Sequence, residues 1–399
     1  MPVTWADSCL TLLLVPVEDG GLARRREDLG ESRLGTLQVD LQKGIVRGRV
    51  ERIFGRHWLL AGHVSELPEA GSYFLFEVDR ESVMVVRDAT GRIHAHHNFC
   101  RHRGTRLCTE AYGQVKGGLQ CSYHAWTYGF DGALKAAPGM QEVHGFEKSE
   151  HGLKRAALAE WRGFLFVNLA EEPVPFAEAF GALTGKFAHW RVEELRSVHQ
   201  TTYEVEANWK LFFHNYSECY HCPNVHPHLN KLTPYKNTEN DLDEGAVLGG
   251  PMWMSNPEGS MTMHGERCAA PFAELTDAER GRVFYYTLFP GAFLSFHPDY
   301  VLVHRARALA IDRTRIVCDW YFHPEAIAAP GFDPQPAIDF WDLTNRQDWQ
   351  LCVDAYKGVS SRAWEPGPYS ELESQLAAFD RQYLRALGES DPAALLRRA

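Results

Sequence analysis

Two Cys-His pairs constrain this chain more than anything else in it. The first is Cys100-x-His102 and the second is Cys121-x2-His124, with 18 residues, 103–120, between them. Each pair places one thiolate and one imidazole at the tip of a short loop. Gly104 follows the first pair, where a tight loop favours a residue without a Cβ. Two such loops facing each other can hold a [2Fe–2S] cluster, with Cys100 and Cys121 on one iron and His102 and His124 on the other. Two neutral imidazoles in place of two thiolates raise the potential of such a cluster. A tetrahedral zinc site is the competing use of the same donors. The surroundings favour the cluster. Tyr123, Trp126, Tyr128 and Phe130 can pack a dry shell, and Asp131-Gly132 is a hairpin turn that closes the strand.

A second constellation lies further along: Asn208-Trp209-Lys210, then Asn215, Glu218, Tyr220, His221, His226 and Pro227. His221 and His226 are five residues apart, about 140° on an undistorted helix. They can share a metal only if the backbone bends between them, and Pro223 supplies a reason for a bend. Glu218 lies three residues before His221, on the same face of a helix expected over 209–220. Two histidines and one carboxylate with open positions make a non-haem Fe(II) site. The late helix offers Asp339, Asp342, Asp348 and Asp354 as the carboxylate. Cys219-Tyr220-His221-Cys222 is formally C-x-x-C, but the βαβ context of a thioredoxin-like motif is missing. The two cysteines read as small buried residues beside a metal ligand.

Composition bounds the rest. A chain of 399 residues with 45% hydrophobic and 23% charged residues can bury a sizeable core and divide into two domains. A net charge of −11 argues against a nucleic-acid partner. The apolar run from Cys9 to Val17 is too short to span a bilayer and lacks a basic flank, so neither a membrane anchor nor a signal peptide is expected. Nine scattered cysteines make no disulfide scaffold, and a thiolate-held cluster fits the cytoplasm. Arg24-Arg25-Arg26 beside Glu27 and Asp28 reads as a solvated segment. Val50, Ile53, Phe54 and Trp58 suggest a lead-in helix over 45–58. Residues 59–170 read as short strands, among them 73–78, 83–87 and 164–168, with turns at 88–91 and 131–132. Residues 171–399 mix helices (176–190, 209–220, 336–357 and 369–387) with strands around 284–289, 300–303 and 315–322. The fold class is therefore α+β: a small all-β domain, then helices on an antiparallel sheet. No G-x-G-x-x-G follows a strand and no P-loop occurs, so NAD(P)H is expected to act only indirectly, through another protein.

The residues at 100–104 and 121–132 resemble the Rieske domain of the Rieske non-haem iron oxygenases, and the resemblance extends over about 48–387. Thr105 and Tyr123 stand where high-potential Rieske proteins carry a disulfide, which implies the oxygenase type. The resemblance implies a lead-in segment (1–58) packing on the catalytic domain, a Rieske domain (59–170) and a mononuclear iron domain (171–399). It places the third iron ligand on Asp348, within Asn345 to Cys352, beside His221 and His226; Asp342 or Asp354 is the alternative. It assigns Glu218 the bridge between His221 and, across a homotrimer interface, His124 of a neighbouring subunit. It implies a separate flavin and iron–sulfur reductase or a ferredoxin as electron donor, and O2 with a small organic compound as substrates. Glu218 in place of the Asp of aromatic-ring dioxygenases resembles the branch acting on quaternary ammonium compounds. Trp253, Phe284, Tyr285, Tyr286, Phe293, Phe296 and Tyr300 are expected to line the pocket, and would suit a cation or an aromatic ring. The alternatives are a ring-hydroxylating dioxygenase and a non-catalytic Rieske carrier, which would need only about a hundred residues.

The cluster reading makes a direct prediction. Purified protein is red-brown, with two irons and two acid-labile sulfides per cluster. Cys121→Ala loses the colour and both metals, as followed by absorbance and metal analysis. A colourless protein with stoichiometric zinc overturns the reading.

Overall fold

The computed structural model describes residues 51–365 and 367–388. The Arg24 segment, the Cys9–Val17 run and the first residues of the lead-in helix lie outside these. Of that helix, residues 51–53 are helical, and the chain turns at 54–56, so Trp58 enters the first strand rather than ending a helix. The chain divides into two compact units. Among the described residues, one holds Gly55–Phe176 and Val192–Glu194; the other holds Ala177–Arg191 and the residues from Leu195 to Gly388, with 51–54.

The first unit is built from short antiparallel strands in three small sheets. One sheet has the order β4 (Ile93–His97), β3 (Glu81–Arg87), β2 (Ser72–Val78), β5 (Tyr112–Gln114). A second joins β1 (Leu59–His63), β10 (Phe164–Asn168) and β9 (Ala157–Trp161), and a third joins β6 (Leu119–Gln120), β7 (Thr127–Tyr128) and β8 (Leu134–Ala136). Val83, Met84, Val85 and Val86 are all buried, so β3 reads as a continuous apolar run instead of alternating. Met84 and Val86 share one core cluster with Tyr73, Cys100, Cys121, Trp126 and Tyr128. Both cysteines of the paired motifs are thus rooted in the core. Gly132 turns the β7–β8 hairpin at φ +84, where an added Cβ would also lie 2.6 Å from the His96 ring.

The second unit centres on a six-stranded antiparallel sheet. Its order is β11 (Arg196–Val205), β16 (Arg313–Phe322), β15 (Val301–Ala310), β14 (Ala292–Phe296), β13 (Arg282–Leu288), β12 (Val247–Trp253). The helices that matter for the site are α1 (Trp209–Tyr216), α2 (Cys222–Val225), α3 (Pro227–Leu232), α4 (Gln335–Val359) and α5 (Ser374–Ala386). Phe213 of α1 sits between Phe293 of β14 and Phe379 of α5, with ring centroids 4.7 and 4.9 Å away. Trp349 of α4 meets Phe212 edge-on at 5.2 Å. These rings pin α1, and with it the turn at its C-terminal end, to the sheet.

The single helix expected over 176–190 is not formed. A helical turn at Phe176–Ala179 gives way to 3-10 turns at Gly181–Leu183 and Ala188–Trp190. Gly185 at φ +82 and Phe187 at φ +62 interrupt the path. Phe180, Leu183, Phe187 and Trp190 are nevertheless all buried, because spacings of three and four residues serve a chain of 3-10 turns as well as a helix. Among the described residues, no helix is long and apolar enough to cross a membrane.

Phe213 is fully buried between two other rings. Phe213→Ala should cost about 3–5 kcal/mol, read as a lower denaturation midpoint with an unchanged slope.

Candidate active site

The two Cys-His loops of the first unit are closed by the same hydrogen-bond pattern. The Cys100 N–H donates to the Thr105 carbonyl at 2.8 Å, and the Gly104 N–H donates back to the Cys100 carbonyl at 2.9 Å. In the second loop the Cys121 N–H donates to the Trp126 carbonyl at 2.8 Å, and the Ala125 N–H to the Cys121 carbonyl at 3.0 Å. The fourth residue after each cysteine turns left-handed, Gly104 at φ +77 and Ala125 at φ +54. Both thiols are buried, whereas His102 and His124 are exposed, their ring centroids 4.7 Å apart. His102 stacks on buried Trp126 at 4.8 Å. The Tyr128 hydroxyl lies 3.3 Å from Cys100 Sγ and accepts the Arg101 N–H. Two soft sulfurs at the core end and two imidazoles at the surface end fit a cluster with different ligands on its two irons. Tyr123 does not join the dry shell: it is 54% exposed and lies over His124.

In the second unit α1 starts at an Asn208 cap, whose side chain accepts the Lys210 N–H, and ends at Tyr216. The helix expected to run to 220 is therefore shorter, and Glu218 and His221 lie in the turn beyond it. Glu218 still reaches His221. One carboxylate oxygen accepts the backbone N–H groups of Tyr220 and His221, and the other meets His221 Nδ1. His226 is the junction between α2 and α3, at φ −122 and ψ 64. Pro227 forces this, because a residue before proline is pushed out of the helical region. Pro223 sits in the first turn of α2, where a missing N–H costs little, so the bend comes from Pro227 and not from Pro223.

The bend brings His221, His226 and Asp348 together, with one donor atom of each within 4.8 Å of the others. Asp348 Oδ1 is 2.7 Å from His226 Nε2 and 3.3 Å from His221 Nε2, and it accepts Asn215 Nδ2 at 3.0 Å. His226 Nδ1 is held by Gln347 Oε1 at 2.8 Å, and His221 Nδ1 by Glu218. With both Nδ1 atoms donating to oxygens, both Nε2 lone pairs face one carboxylate oxygen. That arrangement repels itself unless a positive charge sits among the three atoms. Burial disfavours a charged His221, but the hydrogen bonds and charges of Asp348 and Glu218 outweigh it and raise its pKa to about 10. Burial likewise works against ionised Asp348, and the two histidines overcome it and hold its pKa below the usual range. The donor set and its demand for a cation fit a divalent metal with two imidazoles and one carboxylate. The other aspartates of α4 face elsewhere: Asp342 accepts from Tyr203 and Arg346, Asp354 from Gln350, and Asp339 from Gln335. Gln347, given no role by the sequence pattern, holds one histidine; its place one residue before Asp348 was the available signal.

A pocket with an empty volume of about 740 Å³, counting its open mouth, adjoins the triad. Its aromatic lining is Tyr216, Tyr285 and Trp341. Of the seven aromatics expected there, only Tyr285 takes part. Phe296 stacks on Phe187, Phe293 packs on Phe213 and Tyr216, and the Tyr300 hydroxyl bonds to the Met261 carbonyl and accepts from Trp341. Tyr286 bonds to Asp241, Phe284 packs on Trp190, and Trp253 lies under the Arg282 guanidinium. A strand turns alternate residues to opposite faces, and composition does not show which face meets the pocket. Cys219 and Cys222 line the pocket and are joined as a disulfide, which corrects their reading as two separate small residues.

A family profile described as Ring hydroxylating alpha subunit (catalytic domain) matches residues 192–389, and one described as Rieske [2Fe-2S] domain matches 57–147. The chain is 32% identical over 357 residues to the glycine betaine monooxygenase oxygenase subunit of Chromohalobacter salexigens, covering 80% of this chain and 78% of that one. The quaternary ammonium Rieske monooxygenase CntA in complex with L-carnitine shares the fold at a TM-score of 0.70 and 21% identity, over 88% of this chain and 93% of that one. Naphthalene 1,2-dioxygenase from Rhodococcus sp. bound to indole does so at 0.70 and 20%, over 87% and 92%. The two structural likenesses speak for the fold alone, while the sequence relative and the paired profiles carry the family. The chain belongs to the Rieske-type ring-hydroxylating oxygenase α subunits, as an oxygenase subunit related to the quaternary ammonium monooxygenases.

Proposed function

We propose that this oxygenase hydroxylates the carbon next to nitrogen in a small quaternary ammonium compound, so that a C–N bond is cleaved. Cys100, His102, Cys121 and His124 hold the [2Fe–2S] cluster; His221, His226 and Asp348 hold one Fe(II); Glu218 is the bridging carboxylate. A separate flavin and iron–sulfur reductase, or a ferredoxin, supplies the electrons, and the working assembly is a homotrimer. Bound Fe(II) would supply the activation of dioxygen at a triad that leaves coordination positions open.

The observation that carries the substrate class is the pocket wall. Tyr216, Tyr285 and Trp341 line it together with two carboxylates, Glu218 and Asp348. Aromatic faces attract a fixed cation by roughly 0.5–2 kcal/mol each. The Tyr216 hydroxyl is already spent on Ser295, at 2.6 Å, so the ring and not the hydroxyl is what it offers. The Trp341 indole N–H is likewise spent on Tyr300, at 2.7 Å. Two of the three rings therefore offer a cation their carbon surface and not a hydrogen bond, which suits a quaternary nitrogen. The glycine betaine relative supports the same class. Glu218 and Gln347 orient the two imidazoles and keep their protons on Nδ1.

With reductant, O2 and two protons, the substrate C–H becomes C–OH and the second oxygen atom leaves as water. The resulting hemiaminal collapses to an aldehyde and a tertiary amine. Glycine betaine, carnitine, choline and stachydrine are therefore supplied one at a time with a surrogate reductase, and aldehyde is compared with oxygen consumed. Aldehyde in proportion to oxygen for one of them is the expected result. A diol or phenol from an aromatic acid, with no coupling to any of the four, moves the enzyme to the ring-hydroxylating branch.

Glu218→Gln keeps an acceptor for the backbone but loses the charge against His221. Both metal sites should survive while reoxidation of the reduced cluster by oxygen and substrate slows about 10–100-fold, measured by single-turnover absorbance. An unchanged rate removes the bridging role.

A further inference from the structure

The Cys219–Cys222 pair stands in the pocket wall and takes no part in the proposed hydroxylation. Cys219 is half-buried, while Cys222 is 2% exposed. Their Cα atoms are 5.0 Å apart, within the range a disulfide spans. The bridge encloses only Tyr220 and His221. So short a loop constrains the unfolded chain less than a long one, so its value to the fold as a staple is small and its effect is local.

The free cysteines among the described residues differ in kind. Cys100 and Cys121 are the cluster donors. Cys108, Cys268, Cys318 and Cys352 do not line the pocket. Burial raises the pKa of each of these four thiols, that of Cys268 to about 12, which disfavours the reactive thiolate. Cys219 and Cys222 are thus the cysteines that combine a neighbouring sulfur with a place on the pocket.

We propose that Cys219 and Cys222 form a peroxide-reducing dithiol that cycles between two thiols and the disulfide. The substrate is hydrogen peroxide, formed when oxygen takes two electrons and no organic product is made; that source rests on the oxygenase reading, whereas the thiol chemistry does not. Cys219, the more accessible sulfur, attacks one peroxide oxygen and the O–O bond breaks. The departing hydroxide leaves as water with the Cys219 thiol proton, and Cys219 becomes a sulfenic acid. The Cys222 sulfur then displaces the sulfenic hydroxyl, which leaves as a second water with the Cys222 proton, and the S–S bond forms. Two thiols and one peroxide give one disulfide and two waters, and exchange with an external dithiol restores the thiols. The oxidant is consumed beside His221, before it can attack the imidazoles and aromatic rings of the pocket.

The test uses the intact, cluster-containing protein, reduced anaerobically with dithiothreitol and desalted. Hydrogen peroxide is added in increments, thiols are alkylated, and the tryptic peptide from Leu211 to Lys231 is quantified by mass spectrometry. The doubly alkylated peptide should be replaced, one for one with peroxide, by a species about 2 Da lighter than the dithiol. The rate should be at least about tenfold that at Cys268 or Cys318. In Cys222→Ser, dimedone should trap a sulfenic acid on Cys219. Persistence of the doubly alkylated peptide, or oxidation no faster than at Cys268, overturns the proposal. The same peptide is then monitored with reductase and oxygen in place of added peroxide. Oxidation by added peroxide but not during that turnover overturns the oxygenase reaction as the source; oxidation in neither overturns the dithiol itself.

Discussion

Two imidazole lone pairs and a carboxylate oxygen pointed at one another demand a positive charge among them, and much of the second unit is arranged to maintain that demand. His221 and His226 cannot rotate away, because Glu218 and Gln347 hold their Nδ1 atoms. Asp348 cannot withdraw, because Asn215 holds the same oxygen that faces both rings. Asp348 and Gln347 belong to a helix of 25 residues anchored by Trp341 and Trp349. A proton satisfies the demand at His221 when nothing else does, which is why its pKa lies so far above the usual imidazole value. A divalent ion satisfies it for all three groups at once.

The first unit divides its candidate ligands differently. The same turn is used twice, and each time the thiol goes inward and the imidazole outward. Core packing around Trp126 and Tyr128 fixes the sulfurs, and the stacking of His102 on Trp126 limits one exposed ring. Exposed imidazoles on tight turns over a packed base would suit a centre that passes electrons with little rearrangement.

In the pocket wall beside the triad, the hydroxyl of Tyr216 and the indole N–H of Trp341 are consumed inside the protein. The same cavity is lined by Glu218, Asp348, the Cys219–Cys222 bridge and polar groups such as Asn240 and Gln375. Rings beside negative charge are the basis on which a quaternary ammonium substrate is proposed.

The sequence by itself brought Cys100, His102, Cys121, His124, His221 and His226 forward as candidate donors, because they occur in paired, closely spaced sets. It also marked the more apolar strands, since runs such as Val83 to Val86 and Phe164 to Val167 are apolar without interruption. Tertiary structure alone decided the rest. The choice of Asp348 over Asp342 and Asp354 on geometry depends on how α4 is rotated against α1, and that rotation is set by Trp349 packing on Phe212. The sequence showed that the backbone had to bend between the histidines but credited Pro223, whereas the bend falls at the residue before Pro227. The pocket aromatics could not be read from composition, because Phe293, Phe296 and Tyr300 look like Tyr285 in sequence and differ only in the neighbour each one faces. Local patterns record what a residue can do, and three-dimensional packing selects which of them meet.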